Sequence, residues 1–247
     1  MATFYSKSLQ KILTMKQFAF YFLALVALSS CNQRTGSGTV ITQKRQTGDF
    51  TGVSVGGAFT VEIKNGPVTE VEVEADDNIM ELIETRVKGN TLKIRTKDGS
   101  GINNATFKVY VTAPEINSIN TSGAANIKVI NQLKSSRKIS LDVSGAAEIK
   151  AAVDAPEMYA EVSGAGNIEL SGRTKDYVAK VSGSGDIKSF NLLSENTEVK
   201  VSGAGSAKVH ASVKLKADAS GAGNIHYKGG ASVQQHTSGA ANIKNDN

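Results

Sequence analysis

The sequence predicts an all-β fold: a right-handed parallel β-helix-like solenoid with about 20 residues per coil and one short helix near residues 77–86. Three observations point there. A phrase opening with Ser-Gly recurs seven times, apolar residues alternate along the region before it, and glycine is plentiful while only 3 prolines occur. Tandem β units of this length cannot each enclose a core, but stacked they share one. Like side chains then lie above one another about 4.8 Å apart.

Residues 1–30 read as a signal peptide, with Met15 as its natural start. Met15-Lys16-Gln17 is a short positive segment, Phe18 to Leu28 is an apolar run of eleven residues, and Ser29-Ser30 are small residues before a cut. The run is too short to span a bilayer. Leu28-Ser29-Ser30-Cys31 resembles the lipobox of bacterial lipoproteins. That resemblance implies acylation at Cys31, cleavage before it, and membrane attachment by lipid chains that contribute roughly 0.8 kcal/mol per buried methylene. Cys31 is the single cysteine, so no internal disulfide is available. Residues 31–44, rich in Gly, Thr, Gln and Ser, are expected to form a lipidated flexible tether. Three of the 28 basic residues precede Cys31 and no acidic residue does, so 25 basic face 23 acidic residues in the remainder, a net of +2. A balance so near neutral gives no reason to expect nucleic acid as a partner.

One domain is expected over residues 45–247, with opening strands over 45–115 and the Ser-Gly repeats over 116–247. Val53 and Val55, then Phe59, Val61 and Ile63, fall on alternate positions, as do Val71 and Val73, Leu92 and Ile94, and Phe107, Val109 and Val111. These are strand patterns, punctuated by Asn65-Gly66-Pro67 and Lys88-Gly89-Asn90 turns. Asp76-Asp77-Asn78 followed by Ile79, Leu82 and Ile83 has helical spacing and predicts an N-capped helix ending near Arg86.

The repeats begin at Ser122, Ser144, Ser163, Ser182, Ser202, Ser220 and Ser238, at spacings of 22, 19, 19, 20, 18 and 18 residues. Aligned on that serine, Thr121, Val143, Val162, Val181, Val201, Ala219 and Thr237 precede it, and Ile127, Ile149, Ile168, Ile187, Ala207, Ile225 and Ile243 stand five after it. Only Gly, Ala or Ser fills the first three positions after the serine, which predicts passages too tight for larger side chains. An antiparallel sandwich also accommodates short strands, but gives no reason for one phrase at every strand.

The stretch Asp49-Phe50-Thr51-Gly52-Val53-Ser54-Val55-Gly56-Gly57-Ala58-Phe59-Thr60-Val61-Glu62-Ile63 resembles the opening of the head GIN domain family, described as auto-transporter adhesins. Val71 to Ile79, Thr91-Leu92-Lys93-Ile94 and the later Ser-Gly phrases continue the resemblance over about residues 45–245. It implies a right-handed β-helical fold on exported proteins of Gram-negative bacteria, often lipoproteins, and carries no settled catalytic residues. The expectation here is anchoring through Cys31 rather than through a translocator barrel.

No cofactor or metal is expected. The three histidines lack ligand spacing, although His226 and His236 fall on successive coils. Gly183-Ser184-Gly185-Asp186 resembles glycine-rich calcium repeats, yet the fourth position after the serine reads Asn, Glu, Asn, Asp, Ser, Asn, Asn, too few acidic oxygens to hold calcium in register. Seven equivalent serines behave as structural residues, whereas a nucleophile is singular and sits beside a base. Asp142 and Glu161 share one column and are the carboxylates from which a carbohydrate-active enzyme reading would start. The sixth position after the serine reads Lys128, Lys150, Glu169, Lys188, Lys208, His226 and Lys244. Facing outward, its lysines form a stripe for an anionic ligand, or protect strand edges and aid solubility. The expected function is therefore non-enzymatic: a cell-envelope lipoprotein on the outer membrane of a Gram-negative bacterium, binding a glycan or protein by surface contact. The alternatives are a carbohydrate-active enzyme on the same fold and a purely structural envelope component.

Overall fold

The computed structural model describes residues 34–97 and 102–247, so Cys31 and the signal segment lie outside the described residues. The chain folds as the stacked parallel solenoid that the repeats predict. Each coil contributes one strand to each of two outer faces. On the first face Ser118–Gly123 pairs in parallel with Lys138–Gly145, which pairs with the end of the long strand Glu148–Gly164. On the second, Asn126–Lys134 pairs with the start of that same strand. Every Ser-Gly pair from Ser122-Gly123 to Ser220-Gly221 stacks on its counterpart.

The glycine is required twice over. Gly164 has φ +134°, and a Cβ there would lie 2.6 Å from the carbonyl oxygen of Gly145 in the coil below. That same oxygen accepts the N–H of Ala165 at 2.9 Å. The arrangement recurs up the stack: Ala146 N–H donates to Gly123, Ser184 to Gly164, Ala204 to Gly183 and Ala222 to Gly203, all within 2.8–2.9 Å. A positive φ with a carbonyl directly beneath excludes any side chain. Of the three small positions, the first and third are tight. The second is exposed, as at Ala124, Ala146 and Ala165, so its small size has no packing cause.

The two apolar columns line opposite walls of one interior. Val143, Val162, Val181 and Val201 face inward from the first face, and Ile127, Ile149, Ile168, Ile187 and Ile225 from the second, all between 0% and 2% exposed. Some buried hydroxyls are paired inside this apolar shaft, whereas Thr121 Oγ1 has no partner among the described residues. Tyr177 donates to Ser189 Oγ at 3.1 Å, and Ser189 donates to the carbonyl of Lys208 at 2.7 Å.

The stack extends beyond the seven phrases. Gly56-Gly57 lies in register with Ser122-Gly123, so Gly52–Gly57 and Thr60–Asn65 form a further coil without the signature serine. Beneath it Thr91–Thr96 and Phe107–Ala113 form another. The chain thus starts one layer in, builds the end layer, and then climbs past its own start. The end is closed by antiparallel strands: Ile83–Lys88 against Thr91–Thr96, and Val40–Arg45 against Glu70–Asp76, which also pairs with Phe107–Ala113.

Two expectations fail at this end. The helix is a single turn, Asp77–Met80, and Ile83–Lys88 is a strand whose Ile83, Thr85 and Val87 alternate. Asp76 does not cap the turn with its side chain. Its buried carboxylate instead accepts the N–H groups of Gly38 at 2.6 Å and Thr106 at 2.7 Å. Those two bonds draw the carboxyl below its usual range. The second failure is the tether. Arg34–Thr35 pairs with Ile102–Asn103, Val40–Arg45 is a strand, and Asn78 Nδ2 donates to the carbonyl of Thr35 at 2.9 Å. From Arg34 onward the segment is therefore docked on the domain by Asp76 and Asn78, and only 31–33 of the expected tether lie outside the described residues.

Candidate surface sites

The lysine stripe exists as a geometric object on the second face. Glu62, Lys128, Lys150, Glu169, Lys188, Lys208, His226 and Lys244 follow one another in unbroken register. Its charge is less uniform than its sequence. Lys150 Nζ lies 3.0 Å from Glu148 and 3.8 Å from Glu169, and Lys244 lies 3.1 Å from Asp246. The neighbouring glutamates raise the affinity of Lys150 for its proton. Asp246 also meets His226 Nδ1 at 2.8 Å. The cationic character concentrates at Lys188 and Lys208. Lys208 Nζ lies 5.9 Å from the Phe190 ring centroid, and Lys228 approaches the same ring at 5.0 Å. An aromatic face beneath two ammonium groups is a pattern that sequence periodicity hid, because the chain bulges between Glu169 and Ser171 against Lys188 and Asn191.

The first face carries the carboxylates. Asp142 and Glu161, which share one column of the repeats, are direct register partners. Burial pushes the Asp142 carboxyl up, with the Glu161 charge adding to the effect and the bond from Ser140 at 3.1 Å opposing it. Tyr159 hydrogen-bonds Glu161, and Lys138 Nζ lies 4.5 Å above the Tyr159 ring. Burial and then the Glu161 bond push the Tyr159 hydroxyl to about 12. A cavity of about 170 Å³ beside the pair is lined by Ser54, Asn120, Ser122, Ser144 and Ser163.

His226 and His236, on successive coils, do not approach each other. His226 pairs with Lys244 on the second face, whereas His236 pairs with Asp218 on the first. The solenoid core separates them. Among the described residues no group of three or more His, Cys, Asp or Glu is placed to hold a metal. Among the same residues no helix is long and apolar enough to cross a membrane. One hollow was not legible beforehand. About 570 Å³ opens where the coils turn, lined by Asp154, Pro156, Arg173, Lys175, Leu193 and His210. Arg173 grips Asp154 there through Nε at 3.0 Å and Nη2 at 2.8 Å.

Known structures share this architecture. A "putative adhesin" from Bacteroides fragilis is 24% identical with a TM-score of 0.80, covering 85% of this chain and 99% of its own. A "putative adhesin" from Parabacteroides distasonis is 26% identical with a TM-score of 0.71, covering 87% and 100%. A "putative lipid binding protein" from the same species is 21% identical with a TM-score of 0.72, covering 86% and 100%. No functionally curated protein matches the chain. The family model described as "Putative auto-transporter adhesin, head GIN domain" matches residues 49–231, and the chain belongs to that family.

Proposed function

We propose that this protein is an adhesin-like contact module of the cell envelope, acting through its outer faces rather than by catalysis. The observation that carries the reading is the unbroken outward file from Lys128 to Lys244. Repeated, equally spaced groups suit an extended ligand, such as an anionic glycan or an extended protein segment, better than a small substrate. Family membership and the adhesin descriptions of its structural neighbours support the same role. The finer reading adds a lipid at Cys31 and the outer membrane of a Gram-negative bacterium, both supported by the lipobox resemblance.

The test is a glycan array probed with the protein and with a variant carrying Lys128→Gln, Lys150→Gln, Lys188→Gln and Lys208→Gln. Each exposed charge contact contributes a few tenths to 1 kcal/mol, so a loss of roughly tenfold in binding to anionic glycans is expected. Equal binding by the variant would remove the stripe from the proposal. For the anchor, Cys31→Ser should release the protein from the membrane fraction, and unchanged sedimentation with membranes would reject it.

A further inference from the structure

A second cationic feature lies at the closed end of the solenoid, on the face opposite the stripe. The hairpin Ile83–Lys88 and Thr91–Thr96 sets Arg86 opposite Lys93 and Glu84 opposite Arg95. On their other side Lys93 and Arg95 face Ser54 and Gly56, which in turn face Asn120 and Ser122. Long cations thus stand beside very small residues, and a cavity of about 320 Å³ opens between them. Arg86, Lys88, Lys93 and Arg95 supply its charge, and Ser54 and Ser122 also line it.

Several lysines elsewhere stand beside carboxylates, as Lys44 does with Glu70, Lys108 with Glu74 and Lys200 with Glu198. Here, among the described residues lining the cavity, one acid stands beside four cations. Glu84 lies 2.7 Å from Arg95 Nε and 3.7 Å from Arg86 Nε. Among the described residues lining the cavity, the cations exceed the acids by three. Like charges directly opposite on paired strands repel, so the Arg86–Lys93 pair opposes folding until an anion sits between them. Guanidinium groups match phosphate oxygens in a two-point geometry, and ammonium groups add charge.

We propose that this pocket binds a phosphate group, carried either on a sugar or on a phospholipid headgroup. The cavity is large enough for a phosphate with a sugar ring, and Ser54 and Ser122 among its lining residues bring hydroxyls that can hydrogen-bond a sugar. A headgroup source fits the location, because the pocket shares the end layer with Arg34, three residues after Cys31. The site is independent of the stripe on the other face.

The experiment titrates the full-length protein with glucose 1-phosphate, with glucose, and with phosphatidylcholine vesicles with and without phosphatidylglycerol. Saturable, salt-sensitive binding is expected to glucose 1-phosphate or to the phosphatidylglycerol vesicles, and none to glucose. The double variant Arg86→Gln with Lys93→Gln should weaken it roughly tenfold or more, while Lys64→Gln should not change it. Thermal unfolding of the double variant at or above the parent's temperature would show an intact fold. Binding to the sugar phosphate assigns a soluble or glycan-borne source, and binding to vesicles alone assigns the headgroup. Failure to bind either, or equal binding by the double variant, overturns the proposal.

Discussion

From Ser118 onward each coil is held to the next by the same few contacts, whereas the closed end adds to its strand ladders side-chain contacts that occur once. In the repeats the join is backbone: a glycine carbonyl accepts the N–H two residues past the serine of the following coil. At the closed end a single carboxylate, Asp76, adds to the strand pairings by tying Gly38 and Thr106 together. The repeats spread their stability over many equivalent interfaces. The closed end concentrates it, and so gains the freedom to place charge where the repeats place small residues.

This contrast sets the scale of the expected effects. The largest belongs to Gly164→Val, which forces a side chain onto the Gly145 carbonyl at φ +134°. Overpacking and backbone strain each cost about 1–3 kcal/mol, so a loss of about 3 kcal/mol or more is expected in denaturant unfolding. A variant as stable as the parent would mean that successive glycines do not touch. Next comes Asp76→Ala, whose effect should be local. Protection of the Gly38 and Thr106 amides against hydrogen exchange should fall, while protection in the repeats is kept. Because these bonds hold the Asp76 carboxyl below its unfolded value, the stabilisation is present above the unfolded pKa and is lost as pH falls through the folded one. Uniform loss of protection across the chain would show that the two regions are one cooperative unit.

The smallest effect belongs to Asp142→Asn. Burial raises the Asp142 carboxyl above its unfolded value, so the folded state binds this proton more tightly. Stability therefore declines as pH rises from the unfolded pKa through the folded one. The amide variant should be the more stable protein at neutral pH, by about 1 kcal/mol or less, and the gap should close on acidification. A gap that widens in acid would reverse the sign of the shift.

The same contrast explains what the sequence showed. The repeats were legible because one environment recurs, and its rules are written seven times. The eighth copy at Gly56-Gly57 was missed because glycine replaces the exposed serine, which the stack does not need. The closed end was misread for local reasons. Ile79, Leu82 and Ile83 fit a helix, but Ile83, Thr85 and Val87 equally fit a strand, and the Gly89-Asn90 turn decides it. Both turn residues have positive φ, +58° and +62°, the backbone of a two-residue hairpin. The polar composition of residues 34–45 resembled a tether because its partners, Asp76 and Asn78, lie about 40 residues away. At the candidate sites, the stripe was visible as a column, but its neutralisation by Glu148 and Asp246 and its aromatic support by Phe190 needed the fold.

The reading of the stripe as a contact surface rests on Lys188 lying directly beside Lys208 in the next coil. Paired strand positions are close enough for a disulfide. The direct measurement is intramolecular cross-linking under mild oxidation of Lys188→Cys with Lys208→Cys, in a Cys31→Ser background. A monomeric disulfide is expected for this pair, and none for Lys188→Cys with Lys200→Cys, whose second site lies on the opposite face. Failure of the first pair to cross-link, or equal cross-linking of both, would contradict the stacked files.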